Sequence, residues 1–138
     1  MIRGFVNHID LTVADVDLSI DFYDSVLALL GYCRTNDYEG GAPCWAIVDG
    51  ERNGFSVALH QARSDQEHDR YSVGLHHLAF HADSREDVDR TYADLRALGV
   101  EILDAPAEYD YTPGYYAVFW SDPDGIKLEL VYEPRFVS

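Results

Sequence analysis

Three side chains that are common ligands of divalent metals stand in short segments where apolar and polar residues alternate. His8 lies near the start of the 138-residue chain, His77 in its middle and Glu129 near its end. Two imidazoles and one carboxylate form a facial triad with open coordination positions, which suits Fe(II) and also Mn(II), Zn(II), Co(II) or Ni(II). The open positions would admit water or a chelating substrate. These residue types therefore predict one divalent ion held by His8, His77 and Glu129.

Strand parity predicts which side of a sheet these groups occupy, because successive strand residues face opposite sides. Ile9 and Leu11 form an apolar side suited to packing under a helix, and the other side carries His8 and Asp10. The same parity places further polar groups on the side away from the helices: His60, His77, His81 and Glu129. Parity alone also fits strands that turn polar side chains to solvent. If the two sheets curve around a common cavity, His8, His77 and Glu129 can converge.

Other residues near these segments have predicted roles of their own. His60 is a candidate for a further metal contact or for a catalytic base, and His81 is a second candidate acid–base group beside a bound substrate. Asp10 is expected to hydrogen-bond His8 or a ligand. His76 has the opposite parity to His77 and is expected to cap the strand or face solvent.

The elements that must position these groups occur twice. The segment that starts at Asn7 aligns with the segment that starts at His76, and each leads into a helix, predicted over residues 18–30 and 85–98. Gly31 and Gly99 follow the helices, where a C-terminal cap is expected. Three strand-like runs follow each helix: residues 32–35, 45–48 and 55–59, then 100–103, 115–120 and 126–132. Both halves thus predict βαβββ, with residues 61–72 as a polar linker.

The composition excludes several partners. The formal charge is −15, from 25 acidic and 10 basic side chains, so a nucleic-acid backbone or an anionic membrane surface would be repelled. Apolar runs are too short for a signal or membrane segment, which predicts a cytoplasmic protein. Cys33 and Cys44 are then expected to be thiols rather than a disulfide. A small organic molecule remains the expected partner.

Motifs over nearly the whole chain resemble the vicinal-oxygen-chelate superfamily of glyoxalases, bleomycin-resistance proteins and extradiol dioxygenases. In chain order they are Asn7–Val13, Asp17–Tyr23, Gly74–Phe80, Leu98–Val100 and Asp122–Leu130. The resemblance implies an α+β fold with two βαβββ modules, residues 1–62 and 73–138, that form an open curved mixed sheet in one domain. It also implies a homodimer, and it puts His8, His77 and Glu129 at the metal-ligand positions.

The resemblance leaves three functions open. A ring-cleaving Fe(II) dioxygenase would use Tyr111 and Tyr115, with Tyr109 and Tyr116, to line a pocket for an aromatic substrate. A glyoxalase-like lyase or isomerase would use Ni, Zn or Mn, although Ala58 stands where glyoxalase I enzymes carry a fourth ligand. A binding protein without catalysis would sequester an antibiotic between acidic and aromatic surfaces, with Trp45 and Trp120 among the contact residues.

Overall fold

The computed structural model describes residues 3–35, 41–50 and 54–136. The chain divides into two compact units, Met1–Gln66 and Glu67–Ser138. The first unit contains β1 (His8–Val13), α1 (Val16–Leu29), β2 (Cys33–Arg34), β3 (Cys44–Val48) and β4 (Gly54–Gln61). The second contains β5 (His77–His81), α2 (Arg85–Ala97), β6 (Ile102–Glu108), β7 (Tyr116–Ser121), β8 (Lys127–Tyr132) and a 3-10 turn (Pro134–Phe136). The predicted α+β fold with two βαβββ halves is confirmed.

Both sheets share one topology, which places the first and last strands of each half side by side. The strand orders are β1-β4-β3-β2 and β5-β8-β7-β6. β1 pairs with β4 and β5 pairs with β8 in parallel, whereas the other neighbours are antiparallel. Side chains from the first and last strand of a half therefore sit next to each other on one face.

The helices begin where short polar side chains cap them. The Asp15 carboxylate accepts a hydrogen bond from the backbone N–H of Leu18, and the Ser84 hydroxyl accepts one from Asp87. Gly31 and Gly99 end the helices with positive φ angles of 92° and 76°, as predicted. Within the described ranges, no helix is long and apolar enough to cross a membrane.

Each sheet has one face covered by its helix. In the first unit, Trp45, Val57 and Leu59 are buried with Tyr23 and Leu27 of α1. In the second, the buried residues on the helix side of the sheet and on α2 include Phe80, Val88, Thr91, Leu95, Val118, Trp120, Leu128 and Leu130. The opposite faces carry the histidines and Glu129, as parity predicted.

Strand β6 differs most from the sequence prediction, which ended it at Leu103. It continues to Glu108 through Pro106, with register shifts on either side of Asp104. Proline lacks a backbone donor, and β6 tolerates it because it is an edge strand. The extension brings Tyr109 beside Tyr115, whose backbone carbonyl accepts a hydrogen bond from the Tyr109 N–H at 3.1 Å.

Candidate metal centre

The second unit brings two of the three predicted ligands into contact. Glu129 on β8 pairs in register with Ala79 on β5, and His77 lies two residues earlier on the same face. The His77 Nε2 atom is 2.9 Å from Glu129 Oε1. The Glu129 side chain is 1% exposed, whereas that of His77 is 33% exposed. A carboxylate buried to this degree needs partners for its charge, and the imidazole is one of them.

Tyr115 supplies the second partner of the Glu129 carboxylate. Its hydroxyl donates a short hydrogen bond to Oε2, so both carboxylate oxygens accept a hydrogen bond. Burial raises the pKa of Tyr115, and the hydrogen bond to Glu129 raises it further. The phenol therefore stays protonated at neutral pH and remains a donor. Tyr115 thus fixes the carboxylate orientation from the side opposite His77.

His77 and Glu129 together offer donor types of a divalent-metal site. An imidazole nitrogen and a carboxylate oxygen both ligate such ions, and here they meet at 2.9 Å. Among residues 3–35, 41–50 and 54–136, no cluster of three or more His, Cys, Asp or Glu is assembled for an ion. The structure therefore brings together two of the three predicted ligands.

His8, the third predicted ligand, lies exposed at the start of β1 in the first unit. Its Nδ1 atom is 2.8 Å from the Asn7 side-chain oxygen. In the second unit, His77 Nδ1 is 2.7 Å from Nδ1 of His76. Desolvation lowers the pKa of His76, and the neighbouring His77 imidazole lowers it further. In both histidines Nδ1 meets the preceding residue, and in His77 Nε2 meets Glu129.

Asp10 contacts His60 in this structure. The Asp10 Oδ2 atom accepts a hydrogen bond from His60 Nε2 at 2.9 Å, across the parallel pairing of β1 and β4. Both side chains are about half exposed, so the pair contributes little to stability and mainly orients the imidazole. Ala58 is the register partner of Asp10 and is buried. Each unit thus builds one imidazole–carboxylate pair, with the carboxylate on the first strand here and on the last strand in the second unit.

Two further predicted residues, His81 and Trp45, lie apart from these pairs. His81 is exposed at the end of β5, with its ring 5.7 Å from that of Phe136. Trp45 is 1% exposed, and its indole N–H donates to Asp24 Oδ1 on α1 at 2.7 Å. The register pairs Trp45 with Val57, so both point to the helix side of the sheet. Trp45 is consequently a packing residue of the first unit, and we do not include it among the substrate contacts.

A groove next to Glu129 is lined by the tyrosine-rich segment 108–115. It encloses about 320 Å³. The Tyr109 and Tyr111 rings are parallel within 2° at 5.3 Å, and Tyr115 meets Tyr111 edge-on. Burial raises the pKa of Tyr109, so it is a neutral phenol at neutral pH. Tyr116, also expected at this pocket, faces α2 instead, where its hydroxyl donates to Asp89.

Comparison with known proteins identifies the family to which the chain belongs. The model of the Glyoxalase/Bleomycin resistance protein/Dioxygenase superfamily matches residues 5–130, and the chain belongs to this superfamily. The uncharacterised protein YqjT of Bacillus subtilis is 35% identical over 130 residues, covering 91% of this chain and 97% of YqjT. A Synechocystis protein named "Probable lactoylglutathione lyase" is 29% identical over 133 residues, covering 92% of this chain and 94% of that protein.

Two solved structures have the same fold as this chain. The crystal structure of a candidate glyoxalase from Bacillus halodurans is 30% identical, with a TM-score of 0.76, covering 95% of this chain and 97% of that one. A domain of the same superfamily from Frankia, 23% identical with a TM-score of 0.70, covers 96% of this chain and 98% of that one and supports the fold alone.

Proposed function

We propose that the protein is a divalent-metal-dependent enzyme that binds a small organic substrate through neighbouring oxygens and carries out a glyoxalase-like lyase or isomerase reaction. The observation that carries this proposal is the contact between the buried Glu129 carboxylate and His77 Nε2. The names of the Synechocystis and Bacillus halodurans relatives support the reaction class. We assign His8 as the third metal ligand, because the family resemblance puts it at a metal-ligand position.

The chain's own residues have separate roles in this reaction. A bound divalent ion supplies Lewis-acid stabilisation of negative charge on the substrate oxygens. Tyr115 holds the Glu129 carboxylate in its ligating orientation through the hydroxyl contact. His60 is the proposed base, and it accepts a proton at Nδ1 because Asp10 engages Nε2. His81 is the alternative base.

The lining of the groove supports a flat, partly apolar substrate. Tyr111 and Tyr115 contribute aromatic rings to it. Glu108 is balanced by Arg85, whose guanidinium lies 2.5 Å away, while Asp110 adds negative charge to the lining. A neutral or cationic substrate therefore suits this groove better than a multiply charged anion, in keeping with the overall charge of −15.

The metal content of the purified protein tests the proposal. The protein would be purified anaerobically without chelators or an affinity-tag metal and analysed by elemental mass spectrometry, beside a His77→Ala variant. Near-stoichiometric nickel, zinc or manganese that is lost in the variant would support the lyase or isomerase. Iron would point to the ring-cleaving dioxygenase and to catechol substrates. A protein that holds no metal even after reconstitution would contradict the proposal.

A second candidate function, small-molecule sequestration without catalysis, is favoured by the acidic and aromatic lining of the groove. Tyr111 is 67% exposed, so its ring is available to a ligand. A cation over an exposed ring contributes about 0.5–1 kcal/mol. Tyr111→Ala is expected to weaken binding of an aromatic ammonium compound by roughly 2- to 5-fold, while Tyr111→Phe keeps the ring and the affinity.

Binding would be measured by NMR titration of the metal-free protein with benzylammonium, and with benzoate as the oppositely charged control. Equal binding of both probes, or equal loss in the alanine and phenylalanine variants, would argue against ligand binding in this groove.

A further inference from the structure

The two histidines that start β1 and β5 share a contact that strand parity does not predict. In each unit the residue immediately before the strand turns its side chain to Nδ1 of the following histidine. Asn7 reaches His8 with Oδ1 at 2.8 Å, and His76 reaches His77 with Nδ1 at 2.7 Å. Both lie one position outside the strand, so the alternation of strand faces does not apply to them. The ring of Tyr71 packs edge-on against His76 at 5.3 Å and braces it.

The chemistry of the Asn7 contact determines which nitrogen of His8 carries the proton. A side-chain amide oxygen only accepts hydrogen bonds, so the hydrogen lies on His8 Nδ1. In the neutral imidazole the lone pair then lies on Nε2, which is the form that ligates a metal.

His76 is a more versatile partner than Asn7, since a neutral imidazole has one donor and one acceptor nitrogen. With its hydrogen on Nε2, His77 donates to Glu129, and its Nδ1 can accept from His76. With its hydrogen on Nδ1, the neutral His77 ring donates to His76 and leaves Nε2 as the nitrogen with the lone pair. His76 therefore has a hydrogen-bonding role with either tautomer of His77.

We propose that Asn7 and His76 are positioning residues that hold His8 and His77 by Nδ1 and present Nε2 to the metal. The inference rests on the proposed metal-dependent function and adds to it. Hydrogen-bond partners of this kind fix the orientation of a ligating ring and raise its basicity, and their loss typically lowers metal affinity by about 10–100-fold. Both residues are exposed, so their replacement does not disturb the core.

The near-repeat of the chain provides matched variants. Asn7→Leu and His76→Leu remove the hydrogen-bonding group, and each is expected to lower the affinity for Zn(II) by about 10–100-fold. Asn7→His and His76→Asn place in each unit the residue that the other unit uses at the same position. These two exchanges are expected to stay within about 3-fold of the wild type. His68→Ala, on the exposed segment before β5, controls for loss of a surface histidine.

Two measurements separate this inference from the proposed function. Zn(II) affinity would be measured by competition with a chromogenic chelator, and histidine tautomers by ¹⁵N NMR of the metal-free protein. The expected spectrum shows hydrogen on His8 Nδ1 in the wild type and the loss of that preference in Asn7→Leu. A wild type that binds Zn(II) while both leucine variants bind within about 3-fold would overturn the positioning role and leave the metal centre intact. A wild type without metal affinity would overturn both.

Discussion

Glu129→Gln is expected to weaken divalent-metal binding by at least about 100-fold, because a direct ligand matters more than the hydrogen-bond partners of ligands, whose loss costs about 10–100-fold. The amide keeps the shape of the side chain but loses its charge. It also has one acceptor oxygen where the carboxylate has two. In the structure both carboxylate oxygens accept hydrogen bonds, one from His77 and one from Tyr115. The amide oxygen can accept from the Tyr115 hydroxyl, and the amide NH₂ group then requires His77 to accept at Nε2 rather than donate.

The same exchange has a consequence for stability. Hydrogen bonds to charged groups contribute about 1.5–3 kcal/mol and neutral ones about 0.5–1.5 kcal/mol, so the loss of charge in both bonds should lower the free energy of unfolding of Glu129→Gln by about 1–3 kcal/mol. Glu101→Gln is the matched control, since Glu101 is exposed. Metal affinity would be measured by chelator competition and stability by urea unfolding in the absence of metal. Wild-type metal affinity in the Glu129 variant would contradict the assignment of this carboxylate as a ligand.

Much of the fold can be predicted from the sequence, because the patterns that predict it are local and occur in both halves. Three local features predict βαβββ without knowledge of tertiary contacts. They are the apolar parity of Ile9 and Leu11, the capping glycines after the helices, and the repetition of the histidine segment. The course of β6 was not predictable in this way. Pro106 normally ends a strand, and only the position of β6 at the sheet edge explains why pairing continues past it.

The candidate site contains side-chain contacts that the sequence alone does not predict. Parity correctly put His77 and Glu129 on one face, and their contact then follows from the parallel pairing of β5 and β8. Which groups become partners depends on strand order, and that is why Asp10 meets His60 across β1 and β4 rather than His8. His76 lies outside the strand, where parity carries no information.

The contact of Tyr115 with Glu129 joins a loop end to a strand, and no local pattern marks it. The sequence contains the acidic and aromatic residues of segment 108–115, but it does not show that they form a groove. They form it because β6 extends to Glu108.

Trp45→Ala is expected to lower the free energy of unfolding by about 3–5 kcal/mol, the usual cost of deleting a large buried aromatic ring. Trp45 is 1% exposed against the helix side of the first sheet, and its ring lies 6.0 Å from that of Tyr23. Its sequence neighbours do not reveal this orientation. The pairing with Val57 fixes it, and the sequence alone does not distinguish a packing residue from a substrate contact at this position.

Trp120 of the second unit provides the matched comparison. It is equally buried, but in the described part of the chain its indole N–H has no hydrogen-bond partner, whereas that of Trp45 donates to Asp24. Trp45→Phe should therefore cost about 0.5–1.5 kcal/mol more than the loss of packing alone, the net contribution of one hydrogen bond, because the Asp24 side chain is 44% exposed and water can replace the lost donor. Trp120→Phe removes an unpaired donor and should cost less. Urea unfolding followed by circular dichroism measures both. If Trp45→Ala stays as stable as the wild type but loses affinity for aromatic ligands, Trp45 is a binding residue and its assignment to the core is wrong.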